Sequence, residues 1–171
     1  MDTKELKERF KSGERDFSGV DWTGSDLHGS IEWNGIILVG ANLTGVNLTG
    51  AMIDNANLEG VCFDEATLLE VRFQNTNLRR VNFDNSILVS SFFDMSDADD
   101  ASFREADIRM ASFQEVTLRR TIWIGGLEGD NGFTDTDFTG CQYTPDFCDY
   151  GIRVIMPNGK TYTTPGLENF G

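Results

Sequence analysis

Large apolar residues recur at every fifth position through most of the chain. From Trp33 to Trp123 each of these positions is large and apolar except Ala98, and the residue two positions earlier is small or β-branched. Residues two apart point to the same side of an extended segment, whereas a period of five would spread such a stripe around every face of an α-helix. The pattern therefore predicts short extended segments, each with one buried side and polar residues between them.

The five-residue unit is clearest in "ANLTGVNLTG" at 41–50, and "ANLEG", "TNLRR" and "ADIRM" repeat it further along. These units resemble the pentapeptide-repeat family over about 17–143, and the opening "LKERFKSGERDFSGVDWTG" is similar to the entry segment of cyanobacterial members. The resemblance implies an all-β fold, a right-handed quadrilateral parallel β-helix with four pentapeptides in each coil. We expect about five to six coils in this pentapeptide-repeat solenoid.

A second period supports a four-sided coil. Residues twenty apart would stack on one face, and the aromatic residues sort into two opposite columns, one through Trp33 and Phe113 and one through Phe63 and Trp123. Aliphatic residues fill the two columns between them. Glycine closes the early repeats, as at Gly60, where a corner needs a positive φ, whereas later repeats carry charged or bulky residues there. We therefore expect the corner geometry to change along the rod.

Both ends of the β-helix are expected to carry caps, because unpaired ends template further pairing. A short helix should cover the first coil, with Asp2 and Glu5 at capping-box spacing and Leu6 and Phe10 on one helical face. A hairpin about Pro157-Asn158-Gly159 should cover the last coil. The predicted units, in chain order, are an N-terminal helical cap at 1–13, a β-helix at 14–143 with a register slip near 28–33 and a loop at 124–132, and a C-terminal capping tail at 144–171.

Acidic residues outnumber basic ones by 28 to 14, which gives a net charge of −14. Such a charge disfavours direct binding to nucleic acid or to an anionic membrane, and it favours solubility or a basic partner. The charged N-terminus lacks the apolar core of a signal peptide and no stretch has the length of a membrane span, so a cytoplasmic location is expected. Cys62, Cys141 and Cys148 suit a reducing compartment, and a disulfide between the last two is left open.

No catalytic or cofactor site is expected. The single histidine, His28, lies at the register slip and has no catalytic partner nearby, so it is interpreted as a surface loop residue. The sequence has no phosphate-binding glycine motif, no hydrolase elbow and no cluster of metal-ligating His and Cys residues. We therefore predict no metal, no cofactor and no enzymatic activity.

Function is instead expected at the surface. Apolar residues stand at outward positions where polar ones are expected, and they predict an exposed patch that forms an interface. The alternatives are cover by a terminal segment or single scattered residues. The stretch "DMSDADDAS" is interpreted as a solvated acidic surface whose members fall on different corners and faces. The candidate interaction patch comprises Leu69, Ile87, Val89, Phe92, Met95 and Met110, and the acidic surface comprises Asp94, Asp97, Asp99 and Asp100.

The pattern favours a non-enzymatic solenoid that presents a rigid acidic surface to a protein partner, which the sequence does not name, or to a second copy in a homodimer. The family resemblance supplies an alternative, a DNA-mimic binder and inhibitor of DNA gyrase related to quinolone-resistance pentapeptide proteins. The net charge of −14 suits that alternative. Arginines interspersed among the acids, at 79, 80, 104, 109, 119 and 120, count against a continuous negative stripe.

Overall fold

The computed structural model describes residues 3–29, 32–126, 131–141, 151–152 and 154–162. Within these ranges the protein has one α-helix and five short strands. The strands β1, β2 and β3 form a parallel sheet in that order, and β4 and β5 form an antiparallel pair. In chain order the elements are α1 (Thr3–Lys11), β1 (Ser112–Gln114), β2 (Gly132–Thr134), β3 (Gly151–Ile152), β4 (Val154–Ile155) and β5 (Thr161–Tyr162).

Most of the chain pairs with itself through single parallel bridges instead of long strands. The bridged residues lie twenty apart, as in the series Asn57, Asn77 and Asp97. At the inward residues the backbone N–H donates to a carbonyl of the next coil, for example from Phe83 to Ser102 at 2.8 Å. Four five-residue segments therefore make one coil, and consecutive coils stack in register.

The register slips by one residue in the first coil. Asp16, Asp21 and Asp26 bridge to residues 21 positions later, whereas Glu32 bridges to Met52, 20 positions later. The extra residue lies between Asp26 and Glu32, which is where the sequence predicts the slip. In the described part of the chain the three aspartates bridge only to the following coil. They therefore mark the edge at which the β-helix begins, and we call them the rim aspartates.

The corners keep one backbone geometry, so the predicted change along the rod is wrong. Gly60 has a φ of 69°, and Glu65 has a φ of 57° at the equivalent position of the next repeat. Two hydrogen bonds hold the corner at Glu65: its own N–H donates to Asp84 at 3.1 Å, and the N–H of Ala66 donates to Phe63 at 3.0 Å. This pairing outweighs the cost of about 1 kcal/mol for a left-handed residue other than glycine.

The large residues of successive coils stack into columns inside the β-helix. The ring centroids of Phe83 and Phe103 lie 5.0 Å apart, and those of Phe103 and Trp123 lie 4.2 Å apart. In the opposite column Phe113 stacks on Phe133 at 4.9 Å. These contacts confirm the twenty-residue columns that the sequence predicts, and they form a filled interior.

The predicted loop at 124–132 extends one residue too far. Gly132 opens β2 and pairs with Ser112 of β1, because the chain has already rejoined the stack at this point. Phe133 is in phase with the earlier inward residues, so the loop leaves the register unchanged. Residues 127–130 of that loop lie outside the described ranges.

Both ends of the β-helix carry an element of a different kind. Leu6 of α1 is fully buried, Phe10 packs against the same core, and the guanidinium of Arg9 lies 5.4 Å from the ring centroid of Phe17. At the other end β4 pairs with β5 around residues 157–159, where the sequence predicts a hairpin. The capping box, the end of the β-helix at residue 143 and the Cys141–Cys148 pairing stay predictions, because Asp2, Tyr143 and Cys148 lie outside the described ranges.

Candidate interaction surface

Four apolar side chains are exposed on two adjoining faces of the β-helix, and we call them the apolar patch: Ile87, Phe92, Met95 and Met110. Leu69 and Val89, which the sequence predicts as part of the same surface, are half-buried. They therefore border the patch and contribute less accessible area to it. The exposed fractions of the four members are 42% for Ile87, 43% for Phe92, 48% for Met95 and 60% for Met110.

The register of the coils places these side chains next to one another. Ile87 and Phe92 are five residues apart and occupy equivalent bridging positions on two adjoining faces. Ser90 forms the corner between them, and Met110 occupies the same corner one coil later, with a backbone hydrogen bond joining the two coils there. Met95 closes the second face. The apolar patch therefore wraps around one corner of the β-helix.

Apolar residues are the exception at these outward positions. Neighbouring coils carry polar side chains in the same columns and form the same bridges, so the fold does not require an apolar residue there. The apolar patch is thus a local departure from the repeat pattern. The bridged neighbours are Thr67 and Asp107 for Ile87, and Arg72 and Ser112 for Phe92.

Two members of the apolar patch occupy left-handed corners. Met95 has a φ of 58° and Met110 a φ of 61°. Asparagine tolerates this conformation better than methionine, and Asn75 and Ser90 occupy the same corners one coil earlier. Neither backbone preference nor burial therefore accounts for methionine at these two corners.

Among the residues that the structure describes, sequence reasoning misses two other exposed apolar side chains. Val39 is 36% exposed and Ile124 is 50% exposed, and they lie on faces away from the apolar patch. Each follows an inward residue directly, Leu38 in one case and Trp123 in the other. Val89 stands at the same repeat position, so the signal that identifies Val89 would also have identified these two.

The predicted acidic surface has a different arrangement from the expected one. Asp97, Asp99 and Asp100 share one face, whose inward residue is Ala98, and Asp94 lies on the preceding face. The predicted spread over different corners and faces therefore holds for Asp94 but not among the other three, which share one face. The prediction of a solvated position is also wrong for Asp99, which is fully buried.

Three arginines surround the buried carboxylate of Asp99. Arg119 approaches its Oδ2 with Nη2 at 2.6 Å and donates a backbone N–H to Oδ1 at 3.1 Å. Arg79 lies at 3.4 Å and Arg120 at 3.5 Å from Oδ2. A buried carboxylate is costly unless it is paired and hydrogen-bonded, and these contacts supply both. Because the partners lie twenty residues apart, the cluster joins three successive coils.

The two aspartates next to Asp99 in the cluster, Asp97 and Asp100, are held in their ionised form. Burial alone would raise the pKa of Asp97, but the N–H of Asp99, the guanidinium of Arg79 and a threonine hydroxyl together hold that pKa below its usual value. A two-pronged pair with Arg120, at 2.6 and 2.7 Å, lowers the pKa of Asp100. Both carboxylates therefore carry a full negative charge at neutral pH.

Every one of the six arginines interspersed among the acids lies in an ion pair. Acid and base alternate at twenty-residue spacing on the Ala98 face, through Glu59, Arg79, Asp99 and Arg119, and this signal was readable in the sequence. The negative charge of this face is thus interleaved with positive charge. The pairs are Arg79 with Asp97, Asp99 and Asp100, Arg80 with Glu59, Arg104 with Asp84, Arg109 with Asp107, Arg119 with Asp99, and Arg120 with Asp99 and Asp100.

Other reactive groups are paired or buried. His28 is exposed, and its Nδ1 lies 2.6 Å from Oδ1 of Asp26. Cys141 is buried, and burial raises the pKa of its thiol, while the half-buried Cys62 lies 3.3 Å from the hydroxyl of Thr44. In the described ranges no three His, Cys, Asp or Glu side chains are grouped to hold a metal ion. No helix in those ranges has the length and apolar character needed to cross a bilayer.

The five-residue period of the sequence and the stacked coils of the structure agree with a known protein family. Residues 46–123 match the family model described as a pentapeptide repeat region. This part of the chain is a pentapeptide repeat region. The resemblance drawn from "ANLTGVNLTG" and its repeats is thereby confirmed. No curated protein matches the chain significantly.

Solved structures of pentapeptide-repeat proteins are similar to this one. A trypsin-treated variant of QnrB1, a plasmid-mediated fluoroquinolone resistance protein, is 17% identical over 80% of this chain and 78% of that chain, with a TM-score of 0.47. HetL, involved in heterocyst differentiation regulation in the cyanobacterium Nostoc sp. strain PCC 7120, is 14% identical over 95% and 100%, with a TM-score of 0.33. A protein of the Arabidopsis thaliana thylakoid lumen is 21% identical over 86% and 83%, with a TM-score of 0.34.

Proposed function

We propose that this pentapeptide-repeat protein is a non-enzymatic interaction module that binds a protein partner through the apolar patch. One observation carries the proposal: four exposed apolar side chains wrap around one corner, at positions where neighbouring coils carry polar residues. Exposed apolar clusters of this kind usually mark an interface, because a partner that covers them removes apolar surface from water. The half-buried Leu69 and Val89 extend the same surface at its border.

Charged groups around the apolar patch support the proposal. Asp107 is bridged to Ile87, and Arg109 precedes Met110, so both charges border the patch. They form an ion pair at 2.7 Å. A centre of apolar side chains with a rim of satisfied charges is the usual anatomy of a protein interface. The partner is either another protein or a second copy of this chain in a homodimer. The experiment described next distinguishes these two cases.

The repeat itself supplies substitutions that suit the fold, because each patch residue has a polar equivalent in an adjoining coil. We expect a quadruple variant to keep its free energy of unfolding within about 1 kcal/mol and to lose its partner. Sedimentation velocity measures self-association, and affinity capture with the full chain measures binding to another protein. The changes are Ile87→Thr as at Thr67, Phe92→Ser as at Ser112, Met95→Asn as at Asn75, and Met110→Ser as at Ser90.

A matched control removes an exposed apolar side chain elsewhere. Val39→Glu copies Glu59 from the same column, on a face away from the apolar patch. This variant should self-associate or capture its partner as the unmodified chain does. If the unmodified chain and the quadruple variant sediment alike and capture the same proteins in the same amounts, the apolar patch is no interface and the proposal fails.

Mimicry of DNA towards DNA gyrase is the alternative, and the net charge of −14 is the observation in its favour. It is less favoured because Asp97, Asp99 and Asp100 are each paired with arginine, so their face alternates in charge, unlike the phosphates of DNA. A supercoiling assay with purified gyrase tests it. Supercoiling that is unchanged by a large molar excess of the protein excludes the mimic.

We further infer a cytoplasmic rod of about five to six coils, with α1 as the cap of one end and the β4–β5 hairpin as the cap of the other. Burial of Leu6 supports the first cap, and the parallel bridge from Asp137 to Ile155 of β4 supports the second. The free thiol of Cys62 supports a reducing compartment.

A further inference from the structure

A cavity of about 550 Å³ lies between α1 and the register slip. Its lining includes Lys7 and Lys11 from α1, Arg15 from the segment that follows, and the aromatic residues Phe10 and Trp33. The volume falls in the range of small-molecule sites, about 300–1,000 Å³. In a chain with a net charge of −14, three cationic side chains around one cavity reverse the charge locally.

The cationic groups of this cavity are available to a ligand. Lys7 and Lys11 lie one helical turn apart, are exposed, and form no ion pair with any residue in the described part of the chain. Arg15 is held in place, since its Nη1 donates to the carbonyls of Phe10 at 2.8 Å and Glu14 at 2.9 Å. Its guanidinium carbon also lies 4.0 Å from the ring centroid of Phe10. The remaining nitrogens of this fixed guanidinium can therefore donate to a ligand.

Opposing charge on the lining is small. Glu32 is the one carboxylate among the described lining residues. His28 also borders the cavity, and its Nδ1 is already occupied by Asp26 at 2.6 Å. Three cations facing one carboxylate leave an excess of positive charge, which favours a ligand with two negative charges.

We propose that this cavity binds a small organic dianion, either a phosphate ester or a dicarboxylate with a ring or another apolar body. The two ammonium groups and the guanidinium recognise the charged end. The partly buried Phe10 packs against the apolar end, and the buried Trp33 forms the floor behind it. The site is separate from the apolar patch, which belongs to later coils, so ligand binding and partner binding are independently testable.

Isothermal titration calorimetry of the full chain tests the proposal with four probes. Phenyl phosphate represents the phosphate esters and phthalate the dicarboxylates, while inorganic phosphate and phenol represent the charged and apolar halves alone. We expect one of the two aromatic dianions to bind more tightly than inorganic phosphate and phenol. Its affinity should fall as salt concentration rises, because the attraction is between charges near solvent.

Three variants test whether ligand binding depends on the residues that line the cavity. Lys7→Gln with Lys11→Gln should weaken binding about tenfold. Glu32→Gln removes the opposing charge and should strengthen binding about threefold, a gain that misfolding does not produce. Lys4→Gln is the matched control, because Lys4 is an exposed lysine of α1 that does not line the cavity, and it should leave the affinity unchanged.

Several results would overturn the proposal. One is the absence of heat with all four probes at millimolar concentration. Another is phenol binding as tightly as phenyl phosphate, because the site would then be apolar only. A third is unchanged affinity in the double lysine variant with an unchanged circular dichroism spectrum. If that variant misfolds, the Glu32→Gln variant tests the proposal instead. An affinity of this variant that is lower than or equal to that of the unmodified chain would contradict the proposal.

Discussion

At the scale of single residues, the charge pairing of the Ala98 face depends most on Asp99. Its side chain is 1% exposed, whereas the side chains of Arg79, Arg119 and Arg120 around it are 35%, 42% and 51% exposed. Exposed ion pairs contribute about 0–1 kcal/mol, but loss of one member of a buried pair costs more because the other charges keep no partner. Asp99 is therefore the acid whose loss should be felt most.

Asp99→Asn should lower the free energy of unfolding by about 2–3 kcal/mol, because three guanidinium groups would then surround a neutral amide. The matched change Asp100→Asn removes a carboxylate that is 36% exposed and should cost less than about 1 kcal/mol. Urea denaturation of the three proteins measures both differences. Equal losses in the two variants would mean that burial of Asp99 has no electrostatic role.

Several features at the scale of single residues follow from the sequence alone. The period of five identifies the inward residues, and the period of twenty predicts the stacked pair Phe103 and Trp123. Inward positions repeat because the backbone imposes them, so a pattern reports them directly. The outward residues Ile87 and Phe92 were also identified, because an apolar residue at a polar position is an anomaly in the same pattern.

The sequence pattern does not predict other features of the surface, and the reasons are physical. The burial of Asp99 depends on arginines twenty residues away on both sides, which become neighbours only once the coils stack. Corner geometry was predicted from residue preference, but pairing between coils holds Glu65 in the left-handed region regardless. The cavity beside Lys7 and Lys11 depends on how α1 packs against the register slip, and the five-residue repeat gives no information about that packing.

At the scale of elements, the coil and not the strand is the unit of this fold. Its bridges join residues of adjoining coils, so stability is approximately a sum of coil terms and terms between neighbours. The helix α1 has fewer attachments, chiefly the buried Leu6 and the partly buried Phe10. The first coil and α1 are therefore expected to open at lower free energy than the interior coils.

Leu6→Ala should weaken this attachment by about 2–4 kcal/mol, because it removes a fully buried side chain at the end of the core. The effect should be local. Hydrogen exchange measured by mass spectrometry should show faster exchange in 3–29 and unchanged exchange in 42–123. Leu58→Ala, at an equally buried site in an interior coil, should speed exchange through the repeat region. A uniform change in both variants would contradict a coil-by-coil fold.

At the scale of the whole molecule, the net charge of −14 is carried by acids of which many are engaged in specific contacts. The pKa values of Asp97, Asp100 and Asp107 lie below the ordinary aspartate value of about 3.9, and arginine partners contribute to each shift. A carboxylate with a lowered pKa in the folded chain stabilises the fold above its unfolded pKa. That stabilisation is lost as pH falls through the folded pKa.

Melting temperature should therefore be nearly constant from about pH 7 to pH 5 and should fall below about pH 4. Circular dichroism melts across this range measure the profile. A variant with Asp97→Asn, Asp100→Asn and Asp107→Asn should be less stable at neutral pH and should lose less stability on acidification. A melting temperature that rises below pH 4 would instead show that relief of overall repulsion dominates the paired carboxylates.

The rim aspartates place negative charge around the end of the rod that α1 is proposed to cap. The open end of a β-helix exposes backbone groups on which another copy can stack into a fibre. Inside the rod, the column that starts at Asp16 continues through Ile37 to Asn57 and Asn77. The side chains of these two asparagines join two coils by a hydrogen bond at 3.0 Å. A second copy stacked on the rim would instead meet a row of carboxylates. Repulsion between such carboxylates, together with the cover that α1 provides, is therefore expected to disfavour end-to-end stacking of copies into filaments.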